Sequence, residues 1–114
     1  MNVMQHSDII ARKIAEIRPR FLAELSVRLD RFDVLRDQID TVADPGPLLD
    51  ELMQGAHRNS GLAATLGFHE LGQLSHRAEL AIRDHRATAR PRPTSDLLDL
   101  IDDLLGEMAL ILQD

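Results

Sequence analysis

Apolar residues recur along this chain three and four positions apart, and nowhere alternate with period two over a useful length. That pattern predicts helices and no sheet. Proline, glycine and capping residues divide the chain into five helical segments. The first runs from Ser7, a good N-cap residue, to Arg18, with Ile9, Ile10, Ile14 and Ile17 on one face. Pro19 is expected to end or sharply bend it. The second runs from Pro19 to Val42 with a stripe of Phe21, Leu25, Phe32, Leu35, Ile39 and Val42. Val27 and Val34, off that stripe, are expected to pack beneath the first segment. Asp44-Pro45-Gly46-Pro47 then breaks the chain, and its second proline suits a first helical position. The third segment spans Pro47 to Leu66, turning Leu49, Leu52, Met53, Ala56 and Ala63 inward, with Gly67 as its C′ residue. The fourth runs from Phe68 to Arg86 on Leu71, Leu74, Ala78 and Ile82. After an Arg/Thr/Pro loop, Thr94 or Ser95 caps the last, whose stripe from Leu97 to Leu112 is the cleanest in the chain.

Four long amphipathic helices on short loops predict an all-α, antiparallel four-helix bundle. The short additional N-terminal helix is expected across one end or side of it. At 114 residues the chain is long enough for one domain with a real core and too short for two, so a single domain over 1–114 is expected. A hydrophobic content of 44% fits a folded protein, and 3% aromatic favours helix over sheet. The net charge of −6 argues against nucleic acid, which needs a clustered basic face. The basic run from Arg83 to Arg92 reads as a solvated helix end and loop. The absence of cysteine excludes disulfides, thiol chemistry and cysteine-ligated zinc. Without a long apolar run or a signal-like N-terminus, the expected location is the cytoplasm, with no membrane contact.

The chemistry concentrates between Ala56 and Glu79. His57 sits in the middle of a predicted helix, and Gly61 follows it four residues later on the same face. A helix-interior glycine costs about 1 kcal/mol relative to alanine. Here it leaves a hollow beside the imidazole, and Ser60 is also small. The turn at Gly67 folds the fourth segment back along the third. His57 precedes it by ten residues, roughly 15 Å of helix at 1.5 Å per residue, which brings His76 and Glu79 level with it. A carboxylate against one ring nitrogen fixes the tautomer and leaves the other nitrogen as an outward nucleophile. His6, His69 and His85 show no ligand spacing, and no metal site is expected.

The run His57-Arg-Asn-Ser-Gly61-Leu-Ala63-Ala-Thr-Leu-Gly67-Phe68 resembles the signature of histidine phosphotransfer (HPt) domains. His76 and Glu79 also fall where the phosphotransfer domain of chemotaxis-type histidine kinases carries a histidine and a glutamate. The resemblance implies a phosphorelay carrier: His57 accepts a phosphoryl group and passes it to or from a receiver-domain aspartate. It implies a histidine kinase, possibly a hybrid one, and a response-regulator receiver as partners. Mg²⁺ would be bound by the receiver, with no cofactor, nucleotide site or independent turnover in this chain. A carrier that must expose one face has no need to dimerise, so a monomer is expected. Val27 and Val34 would alternatively serve as a receiver-docking patch. One position departs from the pattern: Ser60 stands where most of the family has lysine, offering a hydroxyl in place of positive charge. Arg58 is adjacent, though it points about 100° away around the helix, and is the candidate substitute. The rival reading is a helical module that binds a receiver or kinase without being phosphorylated.

Overall fold

The computed structural model describes residues 3–113, with side chains from residue 6 onward. It contains four helices: α1 (Val3–Ile39), α2 (Gly46–Ala63), α3 (His69–Arg86) and α4 (Ser95–Leu112). Side-chain pairings fix their directions. Arg28 reaches Asn59 while Arg31 reaches Glu51, His57 meets Glu79 while Asp50 meets Arg86, and Arg36 meets Asp102 while Arg92 reaches the Ile39 carbonyl. In each set one number rises as the other falls, so neighbouring helices are antiparallel. α1 and α3 each pack against both α2 and α4, which closes the bundle.

The predicted stripes meet in one core. Phe21, Leu25, Phe32, Leu35 and Ile39 of α1 bury against Leu49, Leu52 and Ala56 of α2, Leu71 and Ile82 of α3, and Ile101, Leu104 and Met108 of α4. Thr94 caps α4, its Oγ1 accepting the Leu97 N–H at 3.1 Å. Gly67 ends α2 as a C′ residue with φ of 92°. The Phe68 N–H donates to the Ala63 carbonyl at 2.8 Å and the Gly67 N–H to that of Ala64 at 3.1 Å. These are the paired bonds of a Schellman motif, which turns the chain straight into α3.

Two expectations are corrected. Pro19 neither ends a helix nor separates a short first one: α1 is continuous for 37 residues, with Ser7 inside it. A proline removes its own N–H and crowds the carbonyl four residues back, which is left without its helical donor. That residue, Ala15, is exposed, so water can take the carbonyl's bond. Close by, the Arg18 guanidinium donates to the Leu66 carbonyl at 2.6 Å and lies 5.3 Å over the Phe68 ring, which stacks on Phe21 at 5.9 Å. These contacts hold the helix to the Gly67 turn at the level of the proline. Residues 6–17 project as an arm that touches the core through Ile14, with Ile9, Ile10 and Ile17 exposed, and the molecule extends 61 Å along its long axis. It follows that no first helix covers Val27 and Val34. Both are exposed, Val27 at 71%.

Candidate functional site

The α2–α3 hairpin brings the chemistry together because its contact line is built from small residues. Ala56 and Ala63 of α2 and Ala78 of α3 are fully buried. A Cβ added at Gly72 would lie 3.6 Å from the Ala64 backbone nitrogen and 3.7 Å from the Ala63 Cβ, so the backbones approach closely there. His57 and Glu79 each follow one of these buried alanines, at the edge of the seam.

Across that seam His57 Nδ1 lies 2.7 Å from Glu79 Oε2. The two side chains differ sharply in exposure, the imidazole being 73% exposed and the carboxylate 8%. An ionised carboxylate only accepts hydrogen bonds. Against an ionised Glu79 the ring in its neutral form therefore carries its proton on Nδ1 and donates it to the carboxylate, which leaves the Nε2 lone pair free. A buried carboxylate without partners would be costly. Here Arg83 Nη2 lies 3.6 Å from the same Oε2, and His76 Nδ1 is 3.9 Å from Oε1. His76 is thus at the edge of ion-pair distance, and its link to His57 runs through the glutamate.

The flanks of the imidazole differ. One turn toward the C-terminus of α2, the Ser60 hydroxyl donates to the His57 carbonyl at 2.8 Å, which commits its proton to the helix's own backbone. Gly61 is open: a Cβ built there meets nothing within 4 Å, so this glycine relieves no crowding in the fold. On the opposite flank, Met53, Gln54, Arg58 and Arg83 line a shallow cleft with His57 and Glu79. Arg58 also lines a groove between α1 and α2 whose walls include Val27, Phe32 and Gly55. Among the described residues no group of three or more His, Asp or Glu side chains is placed to hold a metal ion. No described helix is long and apolar enough to cross a membrane.

Three residues that matter to this region escaped the sequence reading. Asn59 is fully buried, accepting from Arg28 Nη1 at 2.8 Å and placing its own amide 3.6 Å from Met108 Sδ. It lies three residues after Ala56 and four before Ala63, so a wheel shows a polar residue on the apolar stripe. Burial and the nearby Arg58 charge pull the Arg28 guanidinium below its ordinary value, with Glu24 opposing. Arg83 follows Glu79 by four residues, the ordinary spacing of a helical ion pair, but along the sequence it stands out only as the first residue of the basic run. Gly55 faces Phe32, where an added Cβ would fall 2.5 Å from the ring.

Compared with models of protein families, the chain matches that of the Hpt domain over residues 16–109. No curated protein and no solved structure matches it.

Proposed function

The chain belongs to the Hpt domain family, the phosphocarriers of two-component signalling, and on that premise we propose that His57 is the residue that carries the phosphoryl group. The observation behind the reading is the contrast at one contact: an exposed imidazole whose inner nitrogen is held at 2.7 Å by a buried glutamate. Such a ring is oriented and in the right tautomer before any partner arrives.

The transfer balances without a proton relay. The Nε2 lone pair of His57 attacks the phosphorus of a receiver's aspartyl phosphate. The N–P bond forms as the O–P bond breaks, and that bonding pair leaves on the aspartate carboxylate. Nδ1 keeps its proton throughout, so the phosphorylated ring becomes cationic, and Glu79 is the anion already in place to stabilise it. Return of the group to a second receiver is the same sequence reversed. Phosphoryl transfer has a loose transition state that needs alignment and charge neutralisation more than covalent help. The receiver supplies the acceptor aspartate and Mg²⁺.

Access favours the same face. Gly61 leaves the flank of the imidazole open, and the α1–α2 groove, with exposed Val27 on one wall and Arg58 shared with the His57 cleft, runs up to the site. A receiver lying over α2 would cover Val27 and meet Arg58, with which no described carboxylate pairs, at the mouth of its acidic pocket. The test is a transfer profile. Phosphorylated receivers should label the protein with an acid-labile, base-stable phosphate, and His57→Gln should abolish the label while the far-UV spectrum stays helical. Undiminished labelling of His57→Gln would sink the reading. A wild-type protein that binds receivers and takes no phosphate would leave the non-phosphorylated module in its place.

A further inference from the structure

We propose that Arg83, with Arg58 beside it, supplies the countercharge for the phosphoryl group on His57, from the flank opposite Ser60. This deepens, and rests on, the reading of His57 as the phosphorylated residue.

The flank of residue 60 holds no cation of its own: the serine is neutral, and its hydroxyl proton is committed to the His57 carbonyl. Ala64, Gly72, Gln73, His69 and His76 continue that side, and among the described residues no lysine or arginine lines the cleft they form with Ser60. Positive charge gathers instead where Met53 and Gln54 precede His57 by one turn. There Arg58 of α2 and Arg83 of α3 line one cleft together with the imidazole. The antiparallel hairpin brings Arg83 there, since a residue one turn beyond Glu79 on α3 lies beside one a turn before His57 on α2, while Arg58 reaches the cleft from the position next to His57.

Arg83 is held by the same oxygen that holds His57. Its Nη2 is 3.6 Å from Glu79 Oε2, and His57 Nδ1 is 2.7 Å from that atom. Its side chain is 61% exposed, long and flexible, so the guanidinium can swing a few ångströms without disturbing the core. Among the described residues no carboxylate pairs with Arg58, whose charge is felt by Arg28. The charges suggest a handover. In the unmodified protein Arg83 shares Glu79 with the imidazole. After transfer the ring is cationic and claims the carboxylate for itself, while the phosphoryl group presents new anionic oxygens in the same cleft. A guanidinium fork matches those oxygens well, so Arg83 loses half of one partner as it gains another.

The experiment uses the full chain and phosphoramidate as a small-molecule phosphoryl donor, so that receiver docking plays no part. Labelling rate and phosphohistidine half-life are read by intact-mass spectrometry for the wild type, Arg83→Gln, Arg83→Lys, Arg58→Gln and Ser60→Lys/Arg83→Gln. Solvated ion pairs are worth a fewfold in an equilibrium. Arg83→Gln should therefore lower labelling about threefold, Arg58→Gln less, and Arg83→Lys should recover part of the loss. The gap between wild type and Arg83→Gln should narrow as ionic strength rises and the Debye length shrinks below about 10 Å. Placing a lysine at residue 60 should rescue Arg83→Gln from the other flank. Wild-type labelling of Arg83→Gln, with His57→Gln still unlabelled, overturns this inference and leaves the carrier reading intact. Failure of the wild type to label from phosphoramidate or any phosphorylated receiver takes both down. Slow labelling of Arg83→Gln accompanied by loss of the Nδ1–H tautomer of His57 in ¹⁵N NMR would show that Arg83 acts by positioning Glu79, and that too overturns a countercharge role.

Discussion

Two glycines six residues apart on α2 should respond in opposite directions to the same added methyl group. At Gly61 a Cβ meets nothing within 4 Å, so Gly61→Ala adds no strain. It removes the entropy cost of glycine in a helix, a gain of roughly 0.5–1 kcal/mol. At Gly55 the propensity gain is the same, but the Cβ would stand 2.5 Å from both Cε1 and Cζ of Phe32. That ring is 2% exposed and walled in by the core, so it cannot step aside as a surface side chain would. Overpacking costs about 1–3 kcal/mol, and contact with two atoms of a buried ring belongs in the upper half of that range, about 2–3 kcal/mol, so Gly55→Ala should lose about 1–2 kcal/mol net. At this chain length a change of 1 kcal/mol moves Tm by about 4 °C. Thermal melts followed by circular dichroism should therefore show Gly61→Ala about 2–4 °C above the wild type and Gly55→Ala about 4–8 °C below it. Urea titrations with unchanged slope would attribute both shifts to stability itself. A fall in Tm for Gly61→Ala would mean that this glycine serves packing or backbone strain, and the open-flank argument for the site would be wrong. A rise for Gly55→Ala would mean that the α1–α2 contact is looser than the geometry indicates.

Further substitutions test other parts of the account. Asn59→Ala strips the partly buried Arg28 guanidinium of its acceptor and should cost about 1–3 kcal/mol in urea unfolding; an unchanged midpoint would show that water replaces the amide freely. Ile10→Asn and Ile17→Asn, on the exposed arm, should each change stability by less than about 0.5 kcal/mol, whereas Leu25→Ala, at a fully buried position, should cost about 2–5 kcal/mol; a large loss at Ile10 would mean that the arm is covered in solution. Glu79→Gln keeps shape and removes the charge that stabilises a cationic ring, so phosphotransfer should slow while ¹⁵N correlations show a smaller excess of the Nδ1–H tautomer at His57. Identical spectra and rates would reduce Glu79 to a structural residue.

Much of this was legible in the sequence because it depends on local spacing. The apolar stripes, the Thr94 cap, the Gly67 turn and the pairing of His57 with Glu79 all follow from periodicities of three and four and from one tight hairpin whose register can be counted. What escaped depends on tertiary context. Pro19 is a helix breaker by propensity, yet it lies where Arg18, Phe21 and Phe68 tie α1 to the Gly67 turn and where water reaches the freed carbonyl. Once α1 runs through Pro19 as one helix, no first segment is left to cover Val27, and an apolar pair assigned to packing becomes exposed surface. Asn59 and Gly55 were hidden differently. Each sits on an inward face where composition suggests only apolar packing, and their roles appear when Arg28 and Phe32 arrive from another helix. The countercharge at Arg83 was obscured by a count of like charges along the chain, which does not reveal that one of them is anchored to the carboxylate beside His57.

The central claim is chemical: phosphate is carried on Nε2 of His57, with Nδ1 still protonated toward Glu79. The most direct measurement is ¹⁵N and ³¹P NMR of the histidine-labelled protein after phosphorylation by a receiver. The account predicts a single phosphorylated imidazole, His57, with its phosphorus bonded to Nε2 and a retained Nδ1–H. Phosphate on Nδ1, or on His6, His69, His76 or His85 in place of His57, would contradict it.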